Sequence, residues 1–230
     1  MLELTPLERE ALGLSLTVAF WSVLASLPLG LATAWLLARR EFYGKALLNG
    51  LVHLPLVVPP VVVGYLLLLL FGRRGPLGAW LYDAFGVTVA FTWKGAALAA
   101  AVMAFPLMVR AMRLSLEAVD RRLEAAARTL GARRFEVFLT VTLPLMSPGI
   151  LAGTILAFAR SLGEFGATIT FVSNIPGETR TLPLALYSLT QTPDGETGAL
   201  RLTAIAVVLA FASLAASEVL ARRIRRHIGI

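Results

Sequence analysis

Charge is missing from this chain over lengths that no water-facing surface tolerates. Between Ala11 and Ala38 there are 28 residues without a single Asp, Glu, Lys or Arg, and roughly 20 apolar helical residues are enough to cross the hydrocarbon of a bilayer. Ala46 to Gly72 adds 27 more uncharged residues, and Val137 to Ala159 forms another such stretch. In lipid, backbone groups have no water to turn to, so segments of this kind must be helices or strands of a closed barrel. Their length and lack of alternation select helices. The whole chain agrees: 57% of its 230 residues are apolar and 15% charged, against about 45–50% and about 25% in soluble domains. A soluble enzyme, a disordered tail and an acidic solvating chain are all excluded.

The resulting expectation is an all-α polytopic membrane protein, a single transmembrane domain over 1–230 with about five spans at 11–38, 46–72, 89–113, 141–161 and 199–220. The second holds His53, Pro55, Pro59 and Pro60, so it should be kinked, with protein or a hydrated cavity on the kinked side. Trp93 and Lys94 stand where an aromatic anchor and a snorkelling ammonium belong. The 13 uncharged residues from Phe165 to Gly177 are too few to span, so 164–197 reads as an outer re-entrant or interfacial segment. The leader MLELTPLERE carries three glutamates and one arginine, the opposite of the basic start of a signal peptide.

Lys and Arg assign the orientation. With the N-terminus outside, 14 of the 21 basic residues fall on the cytoplasmic side, including Arg39, Arg40, Lys45, the seven arginines from Arg110 to Arg134, and Arg222, Arg223, Arg225 and Arg226. That satisfies the positive-inside rule with the C-terminus cytoplasmic. The formal +7 of the chain therefore divides into a basic inner face and a nearly neutral outer one, and calls for no nucleic-acid partner.

Chemistry-bearing motifs are absent. The sequence has no His-Glu-x-x-His, Gly-x-Ser-x-Gly or phosphate loop, no cysteine, and only His53 and His227 as histidines, so no catalytic residue, cofactor or metal is expected in the chain. Small residues recur every fourth position in two spans, Ser22-Ser26-Gly30-Ala34-Ala38 and Gly149-Gly153-Ala157-Ser161. Such stripes allow close helix approach, within the subunit or at an interface or pathway wall. Intramembrane ionisable groups are few: His53 reads as a hydrogen-bonded interfacial histidine ahead of a proton relay, and Glu164 as a gate, lock or helix-end residue.

Between the third and fourth spans lies SLEAVDRRLEAAARTLGARRFEVFLT, residues 115–140. Leu116, Val119, Leu123, Ala126, Ala127 and Leu130 fall at helical spacing beside a basic face, with Glu117–Arg121 and Glu124–Arg128 as i,i+4 pairs and Gly131 as the left-handed stop. A helix, a sharp turn and a second short helix are expected. Ala126-Ala127, three residues, Gly131, nine residues, then Val141-Thr142-Leu143-Pro144 resembles the EAA loop of ABC importer permeases. That pattern begins with glutamate, where this chain has Ala125; its acid is Glu124, rotated by about 100° on the helix. The stretch ARSLGEFGATITFVSNIPGETRT resembles more narrowly the permease subunits of molybdate importers.

The resemblance, which covers nearly the whole chain from the first span onward, implies a type I ABC importer permease in the cytoplasmic membrane. It implies a homodimer, two copies of a separate ATPase subunit that holds ATP and Mg, and an extracytoplasmic oxyanion-binding protein. The transported anion would be molybdate, with tungstate commonly accepted; sulfate permeases are close relatives of that family, and sulfate, thiosulfate or another oxyanion is the alternative substrate. ATPase coupling would fall to Glu124, Ala126, Ala127, Arg128, Gly131 and Pro144. With few cations at mid-membrane, hydroxyls and backbone N–H groups at the outer end of the fourth span become the candidate pathway, around Ser161, Thr168, Thr170 and Asn174, with Glu164 beside them as its gate or lock. A self-contained channel or membrane enzyme is the remote alternative, distinguished by needing no ATPase.

Overall fold

Caps and prolines set the corners of the chain in the computed structural model, which describes residues 4–228, with 217 and 221–228 as backbone only. The side chains of Arg222, Arg223, Arg225, Arg226 and His227 thus lie outside the described residues. Helix α1 (Pro6–Arg39) starts with a capping box: Glu8 N–H donates to Thr5 Oγ1 at 3.3 Å and Thr5 N–H to Glu8 Oε2 at 2.8 Å, satisfying two free donors of the first turn. Its 34 residues extend about 50 Å, well beyond a hydrocarbon core of about 30 Å, so both ends reach the headgroup zones.

Helices α2 (Lys45–Val57) and α3 (Pro60–Phe71) replace the kinked second span with two helices bent by 116°. Pro59 has no N–H to continue the ladder and forces Val58 into an extended conformation, ψ 136°. A tandem proline therefore breaks the span where a kink is expected. Next come the short α4 (Pro76–Phe85), which no hydrophobic pattern announces, and α5 (Trp93–Glu117), capped by Thr92 accepting from Gly95 N–H at 3.3 Å.

The cytoplasmic excursion consists of α6 (Arg121–Thr129) and α7 (Arg134–Val137), followed by a π-helical turn over Phe138–Thr142 that runs into α8 (Leu143–Leu162). Pro144 supplies no N–H and crowds the turn before it; the Leu143 N–H bonds instead to Phe138 O, and the helix widens there. On the outer side α9 (Gly166–Val172) and α10 (Leu182–Thr190) make up the excursion expected over 164–197, and α11 (Glu196–Ile228) is the last span. Counting the bent α2–α3 pair as one crossing gives five spans, with α1, α5, α7–α8 and α11 as the long ones. The described residues contain no strand.

Helix α5 sits at the centre. Its small outer half, Ala96, Ala97, Ala99 and Ala100, meets Val18, Val63, Leu67 and Phe171, while Met108, Met112 and Leu116 on its inner half meet Ala34, Leu37, Met146 and Ala157. Both four-residue stripes are consumed by this packing. A Cβ on Gly30 would lie 2.9 Å from Met108 Sδ, and one on Gly149 would run into Ser115 Cβ; the stripes are seams against α5. They also meet each other, with the Ser22 and Ser161 hydroxyls 2.9 Å apart.

Candidate functional site

Asp120 divides the cytoplasmic segment. Its carboxylate accepts from Arg122 N–H at 2.9 Å and starts α6 afresh, so the apolar stripe expected from Leu116 to Leu130 is not one helix face. Leu116 and Val119 are buried at the end of α5, whereas Leu123 and Leu130 stand exposed, Leu130 to 88%. The expected i,i+4 pairs do not form either: Glu117 bonds Arg113 at 2.7 Å, and Glu124 bonds Arg39 at 2.7 Å. In both cases a tertiary or upstream partner is nearer than the arginine on the next turn.

Helix α6 has two faces with different tasks. Arg121, Glu124, Ala125 and Arg128 turn towards α1 and line a cleft. Leu123, Ala126, Ala127 and Leu130 occupy the opposite side, about 200° around the helix at 100° per residue. Ala126 is exposed and Ala127 half-buried, which leaves a small-residue surface open to the cytoplasm. Gly131 follows at φ +91°, and a Cβ there would meet nothing within 4 Å; the backbone angle alone, which side chains other than glycine rarely adopt, accounts for glycine at this corner.

The offset of Glu124 acquires a meaning. On the cleft side its Oε1 accepts from Arg39 Nη2 at 2.7 Å and from Thr142 Oγ1 at 2.8 Å. One carboxylate thus joins α6 to the inner end of α1 and to the π turn that leads into α8. The Arg39 and Glu124 side chains are only 11% and 13% exposed, so the bond is largely removed from bulk water. Sequence reading missed Arg39 and Thr142: one lies 85 residues from Glu124, and the other is the unspecified position of the Val-Thr-Leu-Pro run.

At the outer end of α8, Glu164 is buried. Its Oε2 pairs with Arg160 at 2.7 Å and its Oε1 accepts the Ala167 N–H at 2.9 Å, so it caps α9 and fixes the α8–α9 corner. Ser161 and Thr168 are also buried. The Thr170 hydroxyl donates to Gly166 O at 2.9 Å. Asn174 holds the outer loop by donating to Ser188 Oγ at 2.7 Å and accepting from Arg180 Nε at 3.0 Å. Ser161, Glu164 and Thr168 cluster near the α8–α9 corner, while Asn174 faces α10. His53 Nδ1 lies 2.8 Å from Asn49 O, a bond within its own helix.

The comparisons with known proteins agree with this architecture. Residues 26–226 match the family described as binding-protein-dependent transport system inner membrane component. The chain is 66% identical over 226 residues to the molybdenum transport system permease protein ModB of Escherichia coli (strain K12), covering 98% of this chain and 99% of that protein. It is 59% identical to the protein of the same name from Haemophilus influenzae, covering 97% of each. Among solved structures, a bacterial ABC transporter involved in the import of the acidic polysaccharide alginate superposes with a TM-score of 0.71 at 17% identity, over 96% of this chain and 81% of that one; at that identity the likeness speaks for the fold. The permease fold and the matches across almost the whole length converge, and the chain belongs to the family of binding-protein-dependent inner-membrane transport components.

Proposed function

We propose that this chain is the membrane-spanning subunit of a molybdate importer, working as a homodimer with two copies of a separate ATPase and an extracytoplasmic oxyanion-binding protein. ATP and Mg are bound by the partner ATPase, and this chain contributes no catalytic group. The observation that carries the reading is the exposed face of α6, where Leu123, Ala126 and Leu130 stand open, in a chain that matches molybdenum permeases over nearly its full length.

In this reading the ATPase seats Leu123, Ala126, Ala127 and Leu130, while Glu124 passes its movement to α1 and α8. Arg128 and Pro144 stand at the two ends of that lever. Closure of the ATPases on ATP drives α6, and the α7–α8 helix swings the pathway between inward-open and outward-open states. The oxyanion crosses near the outer ends of α8 and α9, where Thr170 and Asn174 are half-buried and Ser161, Glu164 and Thr168 form the packed corner that must shift. Hydroxyls and amides give weak, dispersed contacts that suit release.

Uptake into vesicles by the reconstituted complex, with molybdate, tungstate and sulfate offered in turn through candidate binding proteins, tests the proposal. ATP-dependent molybdate and tungstate accumulation is expected. Accumulation of sulfate alone would transfer the assignment to a sulfate permease, and ATP-independent flux would remove the importer reading.

A further inference from the structure

The cleft behind α6 is unusual for its charge. It measures about 1040 Å³ and is lined by Arg39, Arg40, Arg121, Arg128 and Arg134, with Glu124 as its single acid. Glu124 is occupied by Arg39 and Thr142. Among the described residues no ion pair holds Arg40, Arg121, Arg128 or Arg134. Four guanidinium groups in one cleft repel one another, and each carries donors in a planar fork matched to phosphate oxygens.

The rest of the lining is apolar. Pro28, Leu31 and Leu36 of α1 run from the cleft towards the membrane, facing Val137 and Phe138 of the widened helix. Trp35 stands where the two chemistries meet, with the Arg40 guanidinium 5.3 Å from its ring centroid, the position of an interfacial aromatic residue. The inner end of α1, α6, α7 and the π turn thus enclose a cationic head space continuous with an apolar groove at the level of the cytoplasmic leaflet. A free oxyanion would use the first part and leave the second without a role.

We propose that this cleft seats the phosphate of an anionic phospholipid, with its acyl chains along the α1 groove. Basic pockets between membrane helices on the cytoplasmic side suit such headgroups. The α6 surface assigned to the ATPase lies on the other side of the same short helix, so both can be occupied together. The lipid would bridge α1, α6 and α7, the elements that Glu124 also joins, whichever anion the complex carries.

The test uses the assembled permease–ATPase complex, purified with native lipid and washed in detergent, with retained lipids identified by native mass spectrometry. Wild type is expected to keep phosphatidylglycerol or cardiolipin after phosphatidylethanolamine has washed away. The combined R40Q/R121Q/R134Q variant should lose at least about ten-fold of that occupancy, while R110Q/R122Q/R133Q, an equal loss of three charges at exposed positions outside the cleft, should keep it. If the triple variant does not assemble, R40Q and R134Q singly, each beside its lysine counterpart, read the same effect. Equal retention by the cleft variants and wild type would overturn the proposal, as would equal retention of zwitterionic and anionic lipid. Displacement of the lipid by millimolar molybdate or inorganic phosphate would overturn it too, by assigning the arginines to a free oxyanion.

Discussion

Glu124 shows how far a single side chain can be from its sequence neighbours. Removing it leaves Arg39, nine-tenths enclosed, without its counter-charge. Breaking a fully buried pair costs about 3–5 kcal/mol and an exposed one under about 1 kcal/mol, so E124A should destabilise the subunit by about 2 kcal/mol. A double-mutant cycle with R39M, read by denaturation in detergent, should return a coupling of about 1–2 kcal/mol; additive effects would mean that the two groups act independently. Close approach limits other positions. A Cβ on Gly64 would run into the Ala167 carbonyl oxygen, a backbone atom that cannot swing aside, so G64A should cost about 1–3 kcal/mol as α3 and α9 are forced apart. Spacing made Ala126, Gly131 and Pro144 visible from the sequence, because each acts through local geometry. It could not reveal Arg39 or Thr142, whose importance comes from what the fold places beside them, whereas Arg160 lies at the i,i+4 spacing from Glu164 that a helix alone brings together.

At the scale of elements, uncharged length located every long helix, since the bilayer imposes the same minimum on each. What it could not locate were breaks made by one or two residues. Asp120 caps a new helix and splits a stripe that reads as continuous, and Pro59 turns an apparent kink into a corner of 116°. The split frees Leu123 and Leu130 from the core, and in the proposed reading they are what the ATPase seats. L130D replaces a side chain that touches solvent, so stability should change by no more than about 0.5 kcal/mol. Transport per ATP hydrolysed should nevertheless collapse, measured as uptake and phosphate release in the same vesicles. G131V should act similarly through the backbone: φ +91° is strained for a β-branched residue by about 1–3 kcal/mol, and the corner between α6 and α7 would open. Coupled uptake at the wild-type ratio in both variants would remove α6 as the docking element.

The whole molecule is organised by which ends face the cytoplasm, and the bent α2–α3 pair is the element on which that depends. If the pair crosses, α4 lies outside and α5 enters from there; if it returns, α4 lies on the same side as the turn between α1 and α2. Packing favours a crossing. Val52 of α2 belongs to the inner cluster with Leu37 and Met112, whereas Val63 and Leu67 of α3 belong to the outer cluster with Val18 and Phe171. The two helices therefore occupy different depths despite the angle between them. The chain has no cysteine, so single cysteines can be introduced without background. With a membrane-impermeant maleimide, D83C in α4 and Q191C after α10 should label in intact cells, and Y43C in the α1–α2 turn only after permeabilisation. All three positions are exposed. Labelling of D83C only after permeabilisation would make the pair a re-entrant loop, reverse the direction of α5 and put α6 outside, where no ATPase could reach it. Outside labelling of D83C together with protection of Y43C fixes the α2–α3 crossing and brings the arginine cleft, the exposed α6 face and the Arg39–Glu124 bond to the cytoplasmic surface together.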